Sequence, residues 1–162
     1  MLLCEEILGT LSDEKFAGLE VDYVDIEWHE AFKRLHKKKS HAGRDIGVQL
    51  GNEILTKGLN QDDVLVVDGN TAIAVNIPET LAFVIDVDDV HMATKVAYEI
   101  GNKHATVFWG DSDFQFVVPQ MEQHINKPMK ALMEKLGVKV ELKSVKLNFK
   151  KSISSSINAH TH

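Results

Sequence analysis

The pattern of apolar residues in this 162-residue chain changes at Pro78, and that change constrains the fold more than any other feature. Before Pro78, apolar residues come in short runs separated by glycine-containing turns, and residues 21–28 alternate apolar with polar side chains. Such alternation buries one face of a β-strand. Further short β-rich runs cover residues 45–50, 64–67 and 71–77, and Asp68-Gly69-Asn70 between the last two predicts a hairpin. Residues 1–77 are therefore predicted to form an all-β domain, a small sandwich or barrel.

After Pro78 a helical period appears between the strands. Apolar residues at positions 90, 93, 97 and 100 lie on one helical face. Asp88 and Asp89 before them offer an N-cap and favourable negative charge at the helix start. Gly101 is expected to end the helix, because glycine adopts the positive φ of a C′ residue without penalty. A second helix is predicted to begin at Asn126 and to end before Gly137.

The elements after Pro78 follow the order β-α-β-β-α-β, with strands predicted at residues 81–85, 105–109, 114–118 and 138–142. This is the order of the split βαβ, ferredoxin-like arrangement, a four-stranded antiparallel sheet with both helices on one face. The predicted fold class is thus α+β: an all-β domain (1–77), a ferredoxin-like domain (78–150) and a tail. The other sheet face is expected to stay partly bare. The Ser-rich tail (151–162) lacks periodicity and is predicted to be disordered.

Composition excludes several classes of protein. The formal net charge of −6 disfavours nucleic acid as a partner, although residues 33–39 and 125–151 are locally basic and form either solvated faces or a docking surface for an acidic protein. No apolar run reaches the ~18 residues of a membrane helix. The N-terminus lacks the features of a secretory signal, and the single cysteine, Cys4, cannot form an internal disulfide. We therefore expect a cytoplasmic protein that does not associate with membranes.

Histidines occur at two places that suit metal binding. His104 follows the expected helix end and precedes a strand, so two regular elements hold its backbone, whereas His160 and His162 lie on the tail. One neutral imidazole binds a divalent ion weakly, and no other His, Cys or carboxylate lies at a convincing ligand spacing from His104 within its domain. A two-fold axis near His104 would supply a second imidazole, and the tails could supply more ligands. Such nitrogen-rich coordination favours Ni(II), Zn(II) or Cu(II) over Ca²⁺ or Mg²⁺.

Simpler interpretations of the same histidines stay open. A single histidine at a strand start is commonly a surface or hydrogen-bonded residue, and two tail histidines can occur by chance. His124 precedes the second predicted helix and could approach the site. The remaining histidines are expected at solvated positions: His29, His36, His41 and His91.

The segment Tyr98-Glu99-Ile100-Gly101-Asn102-Lys103-His104 resembles the signature of the urease accessory protein E family, the nickel metallochaperones of urease, in which a helix ends in Gly-Asn-Arg-His. Residues 21–28, 44–50, 58–65 and 132–137 also resemble that family, so the resemblance covers most of residues 1–147. Two departures concern the site: Lys103 stands where the family usually has arginine, and Glu99 stands where some members have histidine. Glu99 is either a carboxylate ligand or a solvated helix residue.

The resemblance implies a homodimer that binds Ni(II), and can bind Zn(II), across its two-fold axis. His104 would be the interface ligand, with His160 and His162 as accessory ligands. The implied task is nickel delivery for urease active-site assembly, with the urease accessory GTPase and the apo-urease complex as partners. With only two tail histidines, high-capacity nickel storage is not expected.

The residues themselves indicate a binding protein rather than an enzyme. The sequence contains no Gly-rich phosphate loop, no nucleophile motif and no paired catalytic carboxylates, so no catalytic residue is predicted. A metal-dependent hydrolase would need an open coordination position and a general base, and no residue is placed as that base. The alternative function is that of a ferredoxin-like regulatory module, which would bind a small ligand or a protein through its open sheet face.

Overall fold

The computed structural model describes residues 1–153, which fall into two compact units, one from Met1 to Pro78 and one that begins at Glu79. Within the described residues, eleven strands form three sheets and three segments are α-helical. The fold is therefore mixed α+β, as the sequence predicts.

The first unit contains two sheets with the strand orders β1-β5-β4 and β2-β6-β7-β3. Its elements are β1 (Leu2–Cys4), β2 (Gly9–Thr10), β3 (Glu20–Asp25), β4 (Leu35–Lys39), β5 (Asp45–Gln49), α1 (Ile54–Lys57), β6 (Asp63–Asp68) and β7 (Thr71–Asn76). The pairs β1/β5 and β3/β7 are parallel and the other pairs are antiparallel. The expected all-β composition is wrong in one detail, because α1 adds a single helical turn.

The hairpin predicted at Asp68-Gly69-Asn70 is confirmed. Asp68 pairs with Thr71, so Gly69 and Asn70 form a two-residue turn between β6 and β7. Gly69 has a φ of +59°, which a residue with a side chain adopts only at a cost.

The basic run at residues 33–39 contains a strand, β4, that the sequence did not predict. Its inward face carries His36, which is 8% exposed and lies with Nε2 2.9 Å from the carbonyl oxygen of Lys33. Burial lowers the pKa of this imidazole. The expectation that His36 is solvated is therefore wrong, because the strand register turns it inward while Leu35 faces solvent.

An ion pair between a buried carboxylate and a partly exposed arginine joins β3 to the segment before β5. Arg44 Nη1 donates to Asp22 Oδ2 at 2.7 Å, and the backbone N–H of Ala42 donates to the other oxygen at 3.1 Å. Burial raises the pKa of Asp22, but the hydrogen bonds from Ser40, Arg44 and Ala42 and the charge of Arg44 outweigh it, so the pKa lies below its ordinary value.

The second unit has the predicted β-α-β-β-α-β order. Its elements are β8 (Thr80–Asp86), α2 (Val90–Asn102), β9 (Phe108–Trp109), β10 (Gln115–Pro119), α3 (Lys127–Lys135) and β11 (Lys139–Val145). Neighbouring strands in the order β11-β8-β10-β9 are all antiparallel. The strand expected at 105–109 is shorter than predicted, since only Phe108 and Trp109 pair with β10.

Both long helices cover the same face of this sheet. The buried residues that form this core are Phe83, Ile85, Val87, Val96, Ile100, Val107, Phe116, Val118, Met129 and Met133. The helix starts are as predicted: the Asp89 side chain accepts from the Met92 N–H at 2.8 Å, and Asn126 Oδ1 accepts from the Met129 N–H at 3.0 Å.

The opposite face of the sheet is crossed by residues 147–153, which we call the strap. The Phe149 ring stacks on Phe108 with 6.1 Å between ring centroids, and the Ile153 N–H donates to the Val107 carbonyl at 3.0 Å. The tail expected to be unstructured therefore does not begin at residue 151, because residues 151–153 still make backbone hydrogen bonds. The expected bare sheet face is partly covered.

Candidate metal site at the end of helix α2

Helix α2 ends in a Schellman motif that places His104 at the C′ position. Lys103 is the C-cap, the His104 N–H donates to the Gly101 carbonyl at 3.0 Å, and the Ala105 N–H donates to the Ile100 carbonyl at 3.3 Å. These two bonds define the motif, in which the C′ residue is left-handed and is usually glycine. His104 has a φ of +55°.

The expectation that Gly101 is the C′ residue is therefore wrong. Gly101 lies within α2, which continues to Asn102, and its φ is not positive. Ala105, the C″ residue, packs against the core cluster that contains Ile100, the C3 residue. An apolar contact of the C″ residue commonly accompanies this motif. His104 has the left-handed backbone conformation that the sequence predicts for Gly101.

A histidine at this position is unfavourable for the backbone. The left-handed region costs an L-residue about 1–2 kcal/mol, although histidine occurs there more often than most residues do. His104 is exposed, so burial in the core does not offset this cost. Strain that the surrounding structure maintains at an exposed side chain is typical of functional positions.

The last turns of α2 present a surface with an unusual combination of residues beside His104. Tyr98 is 67% exposed, and Gly101 lies one turn later on the same side of the helix. A methyl group added to Gly101 would meet no described atom within 4 Å. This surface therefore has an aromatic anchor next to a point where another backbone can approach closely.

No complete metal site is formed by the part of the chain that the structure describes. Residues 1–153 contain no group of three or more His, Cys, Asp or Glu side chains placed to hold a metal ion. Glu99 and His124 thus do not combine with His104 into such a group. His160 and His162 lie outside the described residues. A site at His104 requires ligands from a second chain, from the tail, or from both.

The strap brings the chain back to the neighbourhood of His104. Ile153, the last described residue, is hydrogen-bonded to Val107, which follows His104 by three residues. The segment that carries His160 and His162 therefore starts next to the strand that His104 precedes. Sequence reasoning did not find the strap; its signal was the pair Leu147 and Phe149, two apolar residues just before the Ser-rich segment.

Comparison with known proteins decides the family. Residues 4–78 match the family described as UreE urease accessory protein, N-terminal domain. The chain is 36% identical over 156 residues to the urease accessory protein UreE of Helicobacter acinonychis (strain Sheeba), which covers 96% of this chain and 88% of that protein. The chain belongs to the UreE family of urease accessory proteins. Identity to UreE of Helicobacter pylori (strain G27) is also 36% with the same coverage, and identity to UreE of Helicobacter bizzozeronii is 32% over 155 residues, with 96% and 84% covered.

Membership confirms the resemblance found in the sequence and gives the chain a role in urease maturation. UreE proteins are accessory proteins rather than enzymes. Among residues 1–153, no helix is long and apolar enough to cross a membrane.

Proposed function

We propose that this UreE protein is a nickel metallochaperone. Two chains form a homodimer in which the two copies of His104 bind one Ni(II) on the two-fold axis, and the ion is then delivered for urease active-site assembly. The observation that carries the proposal is the left-handed His104, an exposed imidazole kept at a position where glycine would be more stable.

The chemistry of the ligands supports nickel as the cargo. Imidazole nitrogen binds Ni(II) and Zn(II) well, so Zn(II) can occupy the same site. Two imidazoles leave coordination positions free, and His160 and His162 are the proposed accessory ligands. Nickel transfer is then ligand exchange: the two copies of His104 fix the ion, while tail histidines bind and leave the remaining positions.

The surface beside His104 supports the proposed dimer. Tyr98 is a large exposed side chain of the type enriched in protein interfaces, and Gly101 allows a second helix to approach. A two-fold axis at this surface would bring both copies of His104 together, because each lies at the end of the same helix.

The proposed partners follow from the role in urease maturation. They are the urease accessory GTPase, which would receive the ion, and through it the apo-urease complex. This exchange would take place in the cytoplasm. The alternative, a regulatory module that binds a ligand through its open sheet face, is disfavoured because the strap covers part of that face.

The proposal is tested by titrating the protein with Ni(II) in a calorimeter and measuring the mass of the intact complex. We expect a dimer with about one tightly bound Ni(II). His104→Ala should abolish tight binding, and deletion of residues 158–162 should only weaken it. His91→Ala, which removes another exposed histidine of α2, is the matched control and should bind like the parent. If His104→Ala binds nickel as the parent does, the proposal fails.

A further inference from the structure

Strand β11 leaves one edge of the second sheet open. It is the terminal strand in the order β11-β8-β10-β9, and among residues 1–153 it pairs only with β8. The other edge differs, because β9 has only two residues and the strap pairs with it at Phe108 and Ser152. The seven residues of β11, Lys139–Val145, therefore present a row of backbone N–H and C=O groups with which another strand can pair.

The face of β11 that points toward the helices is apolar and incompletely covered. Leu142 lies directly opposite Phe83, a core residue, so its side chain is on the face that carries α2 and α3. Leu142 is nevertheless 41% exposed, and Val140 on the same face is only partly buried. The helices thus leave this edge uncovered, and a strand added to β11 would remove apolar surface from water.

The other face of β11 carries three charges in a row. The carboxylate of Glu141 lies 3.3 Å from Lys139 Nζ and 3.8 Å from Lys143 Nζ. All three side chains are exposed. Lysines on an edge strand commonly prevent pairing with another chain. A glutamate between two lysines changes this, because opposite charges can then lie across from each other in a suitable register.

Only one register of β11 with its own copy avoids facing like charges. A two-fold axis perpendicular to the sheet keeps every side chain on its own face, so one residue must lie opposite its own copy. An axis at Glu141 would place two glutamates opposite each other and Lys139 opposite Lys143, and an axis at Lys143 would place two lysines together. An axis at Leu142 pairs all of Lys139–Val145 and places Glu141 of each copy opposite Lys143 of the other.

We propose that β11 pairs with β11 of a second copy of this chain, antiparallel and centred on Leu142, so that two four-stranded sheets become continuous. The charges of this register are self-complementary, as a closed two-fold contact requires. One pair of short strands is a small interface, so the contact is transient and forms at high protein concentration. It is separate from the proposed dimer at α2, because α2 leads through His104 to β9, at the opposite edge of the sheet.

Disulfide formation in metal-free protein tests the register. In a Cys4→Ala background, Leu142→Cys places one thiol on the proposed axis, where opposite Cα atoms lie about 4.5–5.5 Å apart and a disulfide can form. Lys139→Cys is the matched control on the same strand, because it would lie six positions, or about 20 Å, from its own copy. At equilibrium with reduced and oxidised glutathione, Leu142→Cys should give about tenfold more interchain disulfide than Lys139→Cys.

Charge reversal tests whether the occupant is a second copy in this register. In the Leu142→Cys background, Glu141→Lys alone or Lys143→Glu alone replaces two pairs of opposite charges by two pairs of like charges. Each should lower the interchain disulfide about tenfold. The double substitution should restore it. An equimolar mixture of the two single variants should also restore it, because the lysines of one chain then face the glutamates of the other.

A mixed pair of cysteine variants is a second test that leaves Leu142 in place. Val140 would lie opposite Ser144, so Val140→Cys and Ser144→Cys should form a disulfide with each other but not with their own copies, about 14 Å away. The inference is overturned if Leu142→Cys forms no more disulfide than Lys139→Cys and this mixed pair also fails. It is equally overturned if the charge reversals have no effect, or if mixing them restores nothing. A strand of a different protein as the occupant of β11 would leave the purified chain without these disulfides and would overturn it too.

Discussion

Replacing His104 by glycine should stabilise the second unit while it abolishes nickel binding. The two Schellman hydrogen bonds are made by backbone groups, so they remain when the side chain is removed. The imidazole is exposed, so little buried area is lost. The left-handed φ of +55° is unfavourable for histidine and acceptable for glycine.

The expected gain of His104→Gly over His104→Ala, which also lacks the imidazole, follows from two opposing effects. Relief of the left-handed conformation contributes about 1–2 kcal/mol. Glycine also gives the unfolded chain more freedom, which offsets about 0.4–1 kcal/mol. The net stabilisation should be about 0.5–1 kcal/mol. With an m value of about 1.5 kcal/mol/M, the urea midpoint should rise by about 0.3–0.7 M.

The assay is urea denaturation of metal-free protein followed by tryptophan fluorescence. In a Trp28→Phe background the signal comes from Trp109, which stacks on Phe116 in the second unit with 5.2 Å between ring centroids. His104→Ala keeps the unfavourable backbone conformation and also lacks the imidazole, so it is the reference variant for His104→Gly. Lys95→Gly, an exposed position inside α2, should lose about 0.5–1 kcal/mol.

The reasoning would be refuted by a His104→Gly midpoint at or below that of His104→Ala. Such a result would mean that the backbone at residue 104 carries no strain. If His104→Gly is more stable but still binds nickel tightly, the backbone at residue 104 is strained, but that strain is not related to nickel binding.

Three further predictions concern other residues. Gly101→Ala should stabilise the monomer by about 0.5–1 kcal/mol in urea denaturation at low protein concentration, because Gly101 lies inside a helix with open space around it; a loss of stability would contradict this reasoning. Tyr98→Ala should raise the dimer dissociation constant measured by sedimentation while leaving the urea midpoint of the monomer unchanged, and an unchanged constant would remove this residue from the interface. The lowered pKa of Asp22 contributes stability above its ordinary value of 3.8 that is lost as the pH falls below it. Asp22→Asn should therefore cost about 1–3 kcal/mol at pH 6 and less at pH 3, by urea denaturation, because below pH 3.8 the parent has already lost part of the stability that the substitution removes; an equal cost at both pH values would contradict the shift.

The second unit could be predicted well because its sequence is strongly periodic. The apolar positions of α2 recur at helical spacing, and Asp89 and Asn126 are strong N-cap residues, so the elements and their order follow from local signals. The end of α2 could not be predicted to the residue. Gly101 is the stronger local signal, but the left-handed residue is His104, and the residue after it, Ala105, packs on the core.

The first unit and the strap were harder to predict because tertiary contacts decide them. β1 and β2 have three and two residues, too few to show a period. Four of the five residues of β4 are basic, one histidine and three lysines, so the sequence does not look like a strand. Its pairing with β5 makes it one. Likewise, Phe149 shows its role only when it lies against Phe108. The position of His104 between a predicted helix end and a predicted strand made it a candidate ligand, but the sequence gave no indication of its backbone conformation.

The parallel strand pairs of the first unit set an order of events during synthesis. β1 pairs with β5, where Leu2 lies opposite Ile46, and β3 pairs with β7, where Glu20 lies opposite Thr71. The partner strand of β1 is therefore synthesised 44 residues later, and that of β3 is synthesised 51 residues later. At 5–20 residues per second that delay is about 2–10 s, during which apolar strand edges are open to other chains. β7 is the last strand of the unit in the chain, so the sheet that contains β3 cannot be completed before residue 76 has been made.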